Sequence, residues 1–285
     1  MSPLKLLLLL FCIGGTPWAL AGDCARAARL DEEAQALAGP QAKAALLAEA
    51  LALCPDANIG YRLAVARLEA NDAQGALAAL AQARESLDSS RPGAKRLLAA
   101  IEGRRSQAYL QQEDIPLALA HIEAAIDTEG SGELGWLWQV RKAVDLHPQR
   151  RQLAQGDISR SLVASRSIGA VQRIDLYILF DTDRDRPNAE GMAQARELGK
   201  ALAGQAGAMG KALIIGHTDR RGGDAYNDDL SRRRAEQVTA LIGQWHPELQ
   251  GKLKAKGKGE AQPRHPGDSD EDYRLNRRVE VQLIQ

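Results

Sequence analysis

Two hydrophobic periods divide the chain. From about residue 23 to 150, apolar residues recur three and four positions apart: Leu46, Leu47, Leu51 and Leu53; Leu63, Val65 and Leu68; Leu77 and Leu80; Leu97, Leu98 and Ile101; Leu117, Leu119, Ile122 and Ile126. That spacing lines one face of an α-helix, and the Ala- and Leu-rich composition of the stretch favours helix. Breakers at Gly39-Pro40, Pro55-Asp56, Asn71-Asp72, Arg91-Pro92-Gly93 and Glu113-Asp114 cut it into short helices, which predicts a stack of αα-hairpins. Residues 141–156 are transitional, broken by His147-Pro148, and 158–164 form one short helix. The period then drops to two. Ile174, Leu176, Ile178 and Phe180 alternate as a half-buried strand requires. A helix over about 188–204, a strand at 212–215, a helix over 227–245 and strands at 253–258 and 279–283 complete the order βαβαββ. That order predicts helices packed on a small mixed sheet.

The helical half is weakly self-similar. Residues 66–80 match 108–122 at an offset of 42, pairing Leu68 with Leu110, Asp72 with Asp114 and Leu77 with Leu119. Residues 42–46 match 76–80 at an offset of 34. The shorter period, with small residues at helix crossings and Pro55 closing a helix, resembles a tetratricopeptide repeat. The 42-residue interval departs from it, so one repeat is stretched, and an irregular helical bundle stays open. A repeat array of this kind implies a groove that engages a protein partner.

The N-terminus changes the compartment. Lys5, the apolar run at 6–13 and the ending Ala19-Leu20-Ala21 describe a secretory signal peptide over residues 1–21, with an uncleaved anchor as the alternative. The acidic Asp23 before Cys24 departs from a lipobox. Export places the mature chain in an oxidising compartment, where Cys24 and Cys54 are left after Cys12 departs with the leader. One disulfide between them is the simplest arrangement, contributing roughly 3–4 kcal/mol in the chain-entropy model; two free thiols are the alternative. Loss of Lys5 leaves 36 cations against 37 anions, without the basic footprint of a nucleic-acid-binding protein. Lys252, Lys254, Lys256 and Lys258 alternate as on a solvated edge strand.

The stretch from 216 to 235 concentrates the chemistry. Asp219 stands at the end of a strand, and Arg234 follows fifteen residues later on the next helix. Leu230, Arg234, Val238, Leu241, Ile242 and Trp245 share one helical stripe, so Arg234 lies in the apolar seam while Arg232 and Arg233 point elsewhere. A guanidinium there needs an acceptor. A carboxylate and a guanidinium facing one pocket suit a zwitterionic ligand; a simple Asp219–Arg234 salt bridge is the alternative. Asn227 is the expected N-cap of this helix, with Asp228 and Asp229 complementing its positive end, and helix amides nearby offer donors to a carboxylate. Thr218 donates to a ligand or to its own turn. Of Arg277 and Arg278 only one faces the core. The choice stays open, with Arg278, opposite in phase to Val279 and Val281, as the candidate.

These motifs resemble a known family. Phe180-Asp181, Gly216-His217-Thr218-Asp219, Tyr226-Asn227-x-x-Leu230-Ser231-x-x-Arg234-Ala235, Gly257-Lys258-Gly259-Glu260 with Pro263, and Asn276-Arg277-Arg278-Val279-Glu280 occur in the order and spacing of the OmpA-like peptidoglycan-binding domain. The resemblance covers roughly 171–285. It implies non-covalent binding of peptidoglycan stem peptides through diaminopimelate, with the ammonium held by Asp219 and the carboxylate by Arg234. It also implies a periplasmic, cell-wall-associated protein of the outer-membrane envelope. The charged loop at 182–186 and Gly222-Gly223 depart from the family pattern.

Enzymatic and metal chemistry find little support. There is no Gly-x-Ser-x-Gly, no His-Glu-x-x-His, and both mature cysteines lie in the helical half. His217 has no second histidine beside it, and Asp181, Asp183 and Asp185 lack the glycine and downstream glutamate of a calcium loop. The reading is therefore a binding protein without cofactor: a tetratricopeptide-like interaction domain over 22–150, a linker with a short helix over 151–170, and an OmpA-like domain over 171–285 that tethers the first to the wall. An envelope scaffold whose OmpA-like domain serves oligomerisation is the alternative.

Overall fold

A computed structural model describes residues 17–130, 132–181 and 184–284. Residues 1–16, the greater part of the expected signal peptide, lie outside the described residues, as do Thr182 and Asp183. Among the described residues no helix is long and apolar enough to cross a membrane. The chain divides into two compact units, up to Leu87 and from Asp88 onward.

The first unit holds α1 (Pro17–Ala36), α2 (Pro40–Leu53), α3 (Ala57–Glu69) and α4 (Ala73–Glu85). Each helix packs on its neighbour in sequence, as short turns dictate. Asp56 caps α3 by accepting from the amides of Asn58 (2.8 Å) and Ile59 (3.1 Å), which satisfies donors otherwise orphaned at a helix start. Ala50, Leu63, Ala76 and Leu80 are buried between the helices. A Cys24–Cys54 disulfide joins α1 to the residue that closes α2.

The second unit begins with α5 (Ala94–Gln111), α6 (Ile115–Glu129), α7 (Trp136–Leu146) and α8 (Gln155–Ser167). The two turns matched at an offset of 42 are built alike: a left-handed residue, Asn71 or Glu113, precedes an aspartate cap, Asp72 on Gly75 N and Asp114 on Leu117 N. Then come β1 (Arg173–Leu176), α9 (Ala189–Gly204), β2 (Lys211–Gly216), α10 (Asp224–Trp245), β3 (Leu253–Gly257), α11 (Asp270–Asn276) and β4 (Val279–Ile284). The sheet runs β1-β4-β2-β3, antiparallel at β1–β4 and β4–β2 and parallel at β2–β3. The expected small mixed sheet is present, with α11 added before the last strand. β3 is an edge strand, and Lys254 and Lys256 point to solvent.

Two expectations need correction. The strand expected through Phe180 ends at Leu176, and Phe180 keeps only an isolated bridge to Pro187. The domain boundary expected at 150–170 falls inside the second unit. The reason is packing: Leu119 and Ile122 of α6, Val140 and Val144 of α7 and Ile158 and Leu162 of α8 share one buried cluster with Ile174, Leu198, Ile214, Val238 and Val281.

The opposite face of the sheet is buried too, but by charge. Asp175 of β1 sits directly across from Glu280 of β4, a like-charge pairing that destabilises a sheet unless compensated. The Asp175 carboxylate accepts from Arg141 Nη2 at 2.8 Å and Arg264 Nε at 2.9 Å, and Arg278 Nε lies 3.2 Å away. Arg141 also holds Asp145 (2.6 Å) and Glu123, and Arg150 Nη2 donates to Asp145 (3.1 Å) and to the Asp175 carbonyl (3.0 Å). Arg141, Arg150, Arg264 and Arg278 thus meet Glu123, Asp145, Asp175 and Glu280, and Arg173 adds a further cation on Glu123 at 2.9 Å. Burial pushes the Asp175 carboxyl up, but Arg264, Arg278 and Arg141 outweigh it and hold the group well below the usual carboxylate range.

Candidate functional site

The cleft forms where β2 ends and α10 begins. Gly216, the last residue of β2, is packed so tightly that a Cβ there would run into the Ser231 carbonyl. This close approach sets the first turns of α10 beside the strand end and brings its buried seam, Leu230, Arg234 and Val238, over the sheet. Asp219 emerges from the strand end and is 6% exposed. A cavity of about 380 Å³ is lined by Phe180, Asp181, Thr218, Asp219, Arg221, Tyr226, Asn227, Leu230, Arg234 and Arg277. Of the five residues expected at a ligand site, four (Asp219, Arg234, Asn227 and Thr218) meet in this cleft.

Their partners differ from expectation in detail. Asp219 accepts from the Arg221 amide (3.0 Å), from Arg221 Nε (3.1 Å) and Nη2 (2.8 Å), and from Arg277 Nη1 (2.5 Å). Burial pushes its carboxyl up, but the hydrogen bonds from Arg221 and Arg277 prevail and hold it at about 2. Arg234 donates Nε to the Arg184 carbonyl at 3.1 Å and lies over the Phe180 ring, 4.7 Å from its centroid. The Thr218 amide donates to Gly259 O (2.9 Å), while its buried hydroxyl has no hydrogen-bond partner among the described residues. An orphaned hydroxyl costs about 1–3 kcal/mol. Among the described residues that line the cleft, the charged ones are three guanidiniums, Arg221, Arg234 and Arg277, and two carboxylates, Asp219 and the exposed Asp181.

Two site assignments are corrected. Asn227 is not the N-cap: α10 starts at Asp224 with Gly223 as its cap. The Asn227 amide is instead drawn sideways, donating Nδ2 to the carbonyls of Asp219 and Arg221 (both 3.3 Å) and to Glu260 (2.5 Å). Arg278 does not line this cleft; it is 3% exposed and belongs to the charged layer with Asp175, and it borders an adjoining cavity of about 150 Å³ that Arg234 and Arg277 also line. Because both faces of β4 are buried, opposite phase to Val279 leads inward and not to the cleft. Arg277 closes α11 before the chain joins the sheet, and it is this residue that reaches Asp219.

The comparisons with known proteins cover the same segment. Residues 179–277 match the model of the OmpA family. The C-terminal domain is OmpA-like. Outer membrane porin F of Pseudomonas aeruginosa is 30% identical over 117 residues, 41% of this chain and 33% of that protein. Outer membrane protein A of Escherichia coli O157:H7 is 37% identical over 87 residues, 30% of this chain and 25% of its own. The chain spans between a quarter and about a third of the length of these curated relatives. Among solved structures, the cell wall anchor of the T6SS from Pseudomonas aeruginosa is 25% identical, covering 45% of this chain and 96% of that one with a TM-score of 0.36.

His217 of the OmpA-like domain is buried, with Nε2 3.3 Å from Glu280. Burial lowers its pKa, and Glu280 offsets this only in part. Among the described residues no group of three or more His, Cys, Asp or Glu is arranged to hold a metal. Sequence reasoning missed Arg221 altogether. Its signal was available, since it follows Asp219 by two positions and precedes Gly222-Gly223, where a side chain can fold back on its own turn.

Proposed function

We propose that the OmpA-like domain binds peptidoglycan non-covalently, gripping the amino-acid zwitterion of diaminopimelate in a stem peptide. Asp219 takes the ammonium and Arg234 the carboxylate. The observation that carries this reading is that both line one cleft of about 380 Å³ in a domain matched by the OmpA family. The guanidiniums lining the cleft suit the carboxylates of such a ligand, and the orphaned Thr218 hydroxyl offers it one more polar contact. The relatives named as outer membrane proteins support a place in the envelope, and the disulfide supports an oxidising compartment, the periplasm. No catalytic step is assigned.

The helical first unit serves as a tetratricopeptide-like module for a protein partner. A groove of about 550 Å³ there is lined by residues including Leu51, Leu63, Ala79 and Gln82. The OmpA-like domain thereby tethers that partner to the wall.

Retention of the full chain on purified sacculi tests the wall-binding reading. Asp219→Ala and Arg234→Ala should each reduce it at least about tenfold, since charge-assisted hydrogen bonds contribute roughly 1.5–3 kcal/mol. Unchanged retention of folded variants overturns it. One observation favours the alternative, an assembly factor whose OmpA-like domain mediates oligomerisation: the Asp219 carboxylate is already engaged by two arginines. Sedimentation of wild type and Asp219→Ala separates the readings, because only the scaffold role predicts a change of oligomeric state without a change in sacculus binding.

A further inference from the structure

Asp219 has no acceptor capacity to spare. A carboxylate offers about four lone-pair sites, and here two donors sit on each oxygen: the Arg221 amide and Nε on Oδ1, Arg221 Nη2 and Arg277 Nη1 on Oδ2. An ammonium can reach Asp219 only by displacing one of them. The Arg221 amide is fixed by the turn. The Arg277 side chain is 37% exposed and leaves the chain at the end of α11. The Arg221 side chain is 57% exposed and gives up two of the four contacts when it moves. It precedes Gly222, whose φ of 107° only glycine adopts readily, and Gly223. The Tyr273 ring already flanks its guanidinium at 4.9 Å, a contact open to the cation when it gives up the carboxylate.

The geometry points to Arg221 as a built-in competitor for the ligand ammonium at Asp219, and hence as a specificity-determining residue of the cleft. This inference rests on the zwitterion site proposed above. In the free protein the guanidinium occupies the ammonium position. A ligand that brings an amine alone must displace it without return. A ligand that brings an amine and a carboxylate together displaces it and offers the released guanidinium, with Arg234, a new anion. The cleft therefore selects a carboxylated amine over a plain amine by more than contacts with Arg234 alone provide.

Calorimetric titration of the full chain with the tripeptide L-Ala-γ-D-Glu-meso-diaminopimelate tests this. The same peptide acetylated on its distal amine, and the lysine analogue that lacks the distal carboxylate, serve as further probes. Arg221→Ala should bind the tripeptide about fivefold tighter, the scale of an exposed ion pair removed from competition. The lysine analogue should gain more, so discrimination between the two narrows. Neither gain should appear in an Asp219→Ala background or with the acetylated peptide. Arg221→Gln, which keeps bulk and loses charge, should behave as Arg221→Ala does. If wild-type binding depends on Asp219 and Arg234 while Arg221→Ala binds equally or more weakly, the competitor role fails and the zwitterion site stands. Wild-type binding indifferent to Asp219 and Arg234, or no binding by any form, overturns both.

Discussion

Two clusters of arginine and carboxylate lie in the same unit and behave as opposites. Around Asp175, guanidiniums and carboxylates are sealed between helices and sheet, with Arg141 and Arg150 fully buried. Around Asp219, the same groups stand at a cleft, and Arg221 and Arg277 keep much of their surface in water. Buried ions are costly to separate, so the first cluster is committed to the fold. Ion pairs at a surface are worth at most about 1 kcal/mol, so the second can exchange partners. Charge alone does not mark a binding site; access to water decides which cluster can trade a protein partner for a ligand.

The largest expected effect comes from breaking the sealed cluster. Asp175→Ala leaves three arginines without their shared anion and should destabilise the second unit by about 3–5 kcal/mol, read by denaturant unfolding of the full chain. A loss below about 1 kcal/mol would erase the distinction between the clusters. Reduction of the disulfide should cost the first unit roughly 3–4 kcal/mol in the chain-entropy model and leave the cleft unaffected, which differential exchange of backbone amides can verify.

Acid should separate the clusters next. His217 is held below 6.5 by burial, so the unfolded chain takes up a proton first, and stability of the second unit falls as pH drops below about 6.5. Asp175 and Glu280 are both held below the usual carboxylate range against the upward push of burial. Their contribution is full above the ordinary carboxylate pKa of about 4 and is lost as pH falls through and below it. Asp219 stays ionised to about 2, so sacculus binding should persist to about pH 4 while the melting temperature already declines. Parallel titrations of melting temperature and retention check this order; retention lost first would contradict it. The smallest effect belongs to Asp219→Ala on stability, expected within about 1 kcal/mol although binding is lost.

The sequence made the cleft legible because its parts follow simple periods. Leu230, Arg234 and Val238 fall on one helical stripe, and Asp219 stands where a strand stops. It hid the sealed cluster because Asp175, between Ile174 and Leu176, reads as the solvent side of a half-buried strand when only one covering layer is assumed. The helix stripe of α7 did carry a signal. Leu137, Val140, Arg141, Val144 and Asp145 are all buried on one face, and two charges inside such a stripe announce a polar partner. The same second layer explains the misplaced boundary near 150 and the exchange of Arg278 for Arg277.

Since α6 to α8 share a single core with the sheet, these helices and the cleft form one solid, not two hinged pieces. A pull on a ligand held in that cleft would therefore be shared by α6, α7 and α8 through their common core.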